Sequence, residues 1–92
     1  MNNNLRFYIG GAWVEPLSRA TLEVINPATE AAFATIAMGN AEDAGRAIAA
    51  ARAAFPAYSN STKAERLALL RRILEVYNTR AEDLAQAVSD EM

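Results

Sequence analysis

Nucleophilic catalysis needs a thiol, or a hydroxyl beside a base, and this chain of 92 residues holds neither cysteine nor histidine. Ser18, Ser59, Ser61 and Ser89 therefore have no imidazole to activate them. The single lysine, Lys63, falls in a helix-cap region where water solvates it. Four carboxylates, Glu82, Asp83, Asp90 and Glu91, recur seven to eight residues apart, a spacing that returns side chains to one helical face and could present oxygen ligands to a hard cation. A solvated acidic face is the reading preferred for them. Gly10-Gly11 lacks the Gly-x-Gly-x-x-Gly spacing and the strand-to-helix setting of a phosphate cradle, so it reads as a turn.

The totals narrow the field further. A net charge of −2, scattered through the chain, gives no clustered cationic footprint for DNA or RNA. Without cysteine there is no disulfide framework or thiolate zinc site. The opening MNNNLRF has no apolar stretch of signal-peptide type, and no window reaches the roughly 18 apolar residues of a membrane span. The expectation is a cytoplasmic protein bound to neither membrane nor nucleic acid. Hydrophobic residues make up 52 % of the chain, but 21 of them are alanine, which contributes little buried area per residue. The expected core is thin.

The elements that would position any site follow from period and punctuation. Leu5, Phe7 and Ile9 alternate ahead of Gly10-Gly11 and Ala12-Trp13-Val14, which reads as a β-hairpin with Tyr8 and Trp13 as packing residues. Thr21 to Ile25 is a β-branched strand, and "NPATE" reverses it into Ala31 to Ala37 as a second hairpin. Together the hairpins occupy 5–37. A helix over 40–55 follows, with Asn40 as N-cap, Asp43 in its first turn and Pro56 as its stop. Thr62 with Glu65 and Thr79 with Glu82 are capping-box pairs that start helices over 62–78 and 79–92, with Asn78 as the break between them. The final "SDEM" lacks any helix-stop signal, so the chain reads as cut.

The ordered set "FYIGGAWV", "TLEVINPATE", "AEDAGRAIAAARAAF" and "ERLALLRRILEVYNTRAEDLAQAVSDEM" resembles the N-terminal segment of the aldehyde dehydrogenase superfamily over nearly the whole chain. The resemblance implies an α+β fragment, β-hairpins followed by three helices, forming the N-terminal part of a cofactor-binding domain within a larger α/β fold. It implies a parent that oxidises an aldehyde through a cysteine thioester with NAD or NADP. The nucleophile, the general base and the dinucleotide site all lie beyond this segment. No catalytic or cofactor-binding residue is therefore expected here, no cofactor is expected to bind the segment alone, and its partner is the remainder of the parent enzyme. Some members hold a monovalent cation on backbone carbonyls ahead of the Asn-Pro turn and on an acidic side chain ending the third helix. The matching positions are Val24, Ile25 and Glu91, with glutamate where some relatives have aspartate.

Two other readings compete. One is a complete small α+β interaction module using the alanine stripe of 41–55 and the leucine face of 67–77; the other is a binder of an apolar ligand, disfavoured because no convergent polar groups would orient one. Apolar faces beyond what 92 residues can bury also predict self-association of the isolated chain.

Overall fold

The computed structural model describes residues 3–92, and over them the chain runs as four short strands and three helices. Strands β1 (Phe7–Ile9) and β2 (Ala12–Val14) form an antiparallel hairpin in the register Phe7↔Val14. Its two-residue turn needs positive φ at both positions, and Gly10 (63°) and Gly11 (82°) supply it without a side-chain clash. Tyr8 and Trp13 face each other across the strands, ring centroids 5.2 Å apart at 64°, the edge-to-face geometry aromatic quadrupoles favour.

Strands β3 (Thr21–Asn26) and β4 (Ala31–Ala37) form a second, separate antiparallel pair. Asn26 builds the turn itself: its Oδ1 accepts from the amides of Ala28 (2.9 Å) and Thr29 (3.4 Å), while its carbonyl accepts from Glu30 N (2.8 Å). Glu30 closes the turn in the left-handed region, at φ 58°. The register steps from Val24↔Ala34 to Ile25↔Ala32, so Phe33 is the extra residue of a β-bulge.

Helix α1 (Ala41–Ser59) starts as expected: Asn40 Oδ1 accepts from Asp43 N at 2.9 Å, and Asp43 Oδ2 accepts from Asn40 N at 3.2 Å, a reciprocal capping box. Its end differs from the expected 40–55, because Pro56 lies inside the helix and does not stop it. Proline forfeits one backbone bond, but α1 has only three residues left, and the turn after Pro56 closes with side chains. Ser59 Oγ (2.9 Å) and Asn60 Nδ2 (3.0 Å) both donate to the Pro56 carbonyl.

Helix α2 (Lys63–Thr79) is capped by Thr62, whose Oγ1 accepts from Glu65 N at 3.1 Å. Helix α3 (Ala81–Glu91) follows after one residue. The expected capping box of Thr79 with Glu82 does not form, and the break comes at Arg80, not Asn78. Thr79 is still the last residue of α2, its hydroxyl donating to the carbonyl of Val76 at 2.7 Å, so the N-cap position of α3 falls on Arg80. Arg80 serves as the junction: its amide donates to Tyr77 O, its carbonyl accepts from Leu84 N, and its Nε donates to Asp83 Oδ2 at 2.6 Å.

Packing between these elements is sparse. The radius of gyration is 16.8 Å, against about 12 Å for a compact chain of this length. The accessible surface is 7650 Å², against roughly 5,200 Å² for a self-contained protein of this mass. Among the described residues no hydrophobic side chain is fully buried, and the only buried polar one is Asp43.

Candidate functional site

Two places bring sequence-distant groups together. The first contains two of the three positions named for a cation, Val24 and Glu91. Helix α3 lies against the second hairpin, and between them is a cavity of about 350 Å³ lined by Val24 and Glu91 together with Phe33, Ala34 and Asp90. Ile25, the next residue along β3 and beyond the register step, is not among the lining residues, and its side chain is exposed. Asp90, which the resemblance did not single out, is half-buried there, with its Oδ1 accepting from Gln86 Nε2 at 2.8 Å. The bulge explains the apolar wall: without the extra residue, adjacent positions 33 and 34 would alternate across the strand, whereas both meet this cavity. A backbone carbonyl and carboxylates are hard oxygen donors of the kind alkali and alkaline-earth cations prefer. Glu82 and Asp83 stand about two helical turns away and do not join them. Among the described residues, no three acidic, histidine or cysteine side chains converge on one point.

The second place is built around Asp43, 3 % exposed. Besides Asn40, its carboxylate accepts from Leu17 N (2.9 Å), Ser18 N (3.4 Å) and Arg46 Nη2 (2.8 Å). Arg46 Nη2 also donates to the carbonyl of Glu15 at 2.9 Å. One carboxylate and one guanidinium thus tie the 15–18 loop, which joins the two hairpins, to the N-terminus of α1. The bond from Leu17, aided by those from Asn40, Arg46 and Ser18, holds the Asp43 carboxyl below its ordinary 3.8 despite an opposing effect of burial. Sequence reasoning gave Asp43 only its local role in the first turn. The bonds to residues 17 and 18 span 26 and 25 positions, and no local pattern announces them.

The remaining candidates have structural duties. Ser18 Oγ accepts from Ala20 N, Ser59 closes α1, and Ser61 Oγ and carbonyl accept from Arg66. Lys63 is exposed at the first turn of α2. The Gly10 turn sits over α1, with Ala50 Cβ only 3.8 Å from where a Cβ on Gly10 would stand. It forms no strand-to-helix phosphate cradle, and among the described residues no helix is long and apolar enough to cross a membrane.

Comparison with known proteins agrees with this architecture. Residues 13–92 match the sequence pattern of the aldehyde dehydrogenase family. A curated Staphylococcus saprophyticus protein named as an aldehyde dehydrogenase is 47 % identical over all 92 residues, which are 19 % of its own length. Among solved structures, a cysteine-to-alanine variant of aldehyde dehydrogenase C from Pseudomonas syringae, in complex with NAD+ and octanal, superposes on 99 % of this chain with a TM-score of 0.96. It is 46 % identical, and the match covers 19 % of that chain. An aldehyde dehydrogenase from Bartonella henselae matches 95 % of this chain, at TM-score 0.92 and 42 % identity. The chain thus spans about a fifth of the length of the relatives it matches. The glycine hairpin, the Asn-Pro hairpin and the three helices in this order, matched in both sequence and structure, mean that the chain belongs to the aldehyde dehydrogenase family.

Proposed function

We propose that these 92 residues are the N-terminal scaffold of a longer cytoplasmic enzyme that oxidises an aldehyde to a carboxylic acid with NAD or NADP, and that the segment itself is catalytically inert. The observation that carries this reading is the excess of open apolar surface on a segment whose relatives are about five times as long. A segment in which none of the described apolar side chains is fully buried is one whose core another part of the same protein completes. The chemistry has to come from that other part. Thioester formation needs a cysteine thiolate, and this chain has no cysteine. A dinucleotide site needs a glycine-rich cradle at a helix N-terminus, which the described residues do not build. What this chain contributes is architectural: the hairpins and α1, locked together through Asp43, form the N-terminal part of a cofactor-binding domain, and α2 and α3 present faces for the remainder to cover. Without that remainder, the same faces drive self-association of the isolated chain.

The reading is tested by nicotinamide reduction with propanal as substrate. The purified 92-residue chain is expected to show no turnover, and the protein encoded by the gene read onward past the Met92 codon is expected to show it. Turnover by the 92 residues with no other protein present, or a stop codon directly after Met92, overturns the proposal; the stop codon would favour the small interaction module.

In the longer protein, the carbonyls of Val24 and Ile25 with the Glu91 carboxylate would hold a monovalent cation. Support comes from Val24 and Glu91 sharing one cavity with Asp90. Crystals of that protein soaked in rubidium should give an anomalous peak between strand β3 and the end of α3. A soak at high rubidium concentration with no peak there removes the assignment.

A further inference from the structure

We draw no further inference here: the strongest candidate, the open apolar groove of about 490 Å³ between strand β1 and helix α1, lined by Phe7, Ile9, Ala44 and Ala47 beside Asp43, carries nothing, because nothing in the structure shows what covers it and the Asp43 carboxylate is already engaged in tying the 15–18 loop to α1.

Discussion

Diluted to submicromolar concentration, the 92-residue chain will show no cooperative thermal unfolding transition, only the shallow melting of partly formed helices. Ordering each residue costs about 1–2 kcal/mol of backbone entropy, and burial of apolar surface is the main term that offsets it. Here that term is nearly absent, since Leu67, Leu70, Ile73 and Leu74 on α2, Leu84 and Val88 on α3, and Phe55 on α1 all stay exposed in the single chain. Helices of 19, 17 and 11 residues are marginal in water without tertiary packing. Structure therefore depends on whatever covers those faces, whether a second copy or the rest of a longer polypeptide, and the unfolding midpoint should rise with protein concentration. Circular dichroism melts across a hundredfold concentration range check this. A sharp transition at one temperature over the whole range would mean that the chain has a core of its own.

The largest effect of a single substitution is expected at Asp43. Removing its carboxylate in Asp43→Ala leaves the amides of Leu17, Ser18 and Asn40 and the guanidinium of Arg46 without their acceptor at one enclosed point. In the longer protein, the expected result is loss of hydrogen-exchange protection at Leu17 and Ser18, approaching the rate of an unfolded loop, together with fraying of the first turn of α1. Asp43→Asn should fall between, since an amide offers one acceptor oxygen where the carboxylate offers two. By contrast, Arg6→Ala breaks an ion pair with Glu15 that is exposed on both sides, and such pairs are worth about 1 kcal/mol or less. The pH dependence has a definite sign. The folded chain holds Asp43 below its ordinary 3.8, so its contribution is fully present above that value and is lost as pH falls through the lower, folded-state value. The charged group facing it is the Arg46 guanidinium, 2.8 Å away. Exchange at Leu17 and Ser18 in the wild type, corrected for the intrinsic pH effect, should therefore be flat from pH 5 to 8 and accelerate only in acid. Protection retained in Asp43→Ala, or a loop that loosens as pH rises from 5 to 8, would show that the carboxylate does not hold it.

What the amino-acid sequence by itself determined has its partners within about four residues. Gly10-Gly11 dictates a tight hairpin, Asn26 a side-chain turn, Asn40 the N-cap of α1, and Thr62 the start of α2, because each is a hydrogen bond or a φ preference closed locally. The ordered motifs were enough for the family resemblance. The structure decided the rest. Two of these features are still local: Pro56 sits inside α1 only three residues from its end, with Ser59 and Asn60 donating to its carbonyl, and Thr79 is the last residue of α2, so that Arg80 takes the N-cap position of α3. The bulge at Phe33 shifts Ile25 off the register that Val24 keeps, and the packing of α3 on the hairpin brings in Asp90. Asp43 reaches Leu17 across 26 positions only because the chain path returns there. Local bonds are written in neighbouring residues, whereas these contacts depend on where distant segments are laid side by side, which residue spacing alone does not specify.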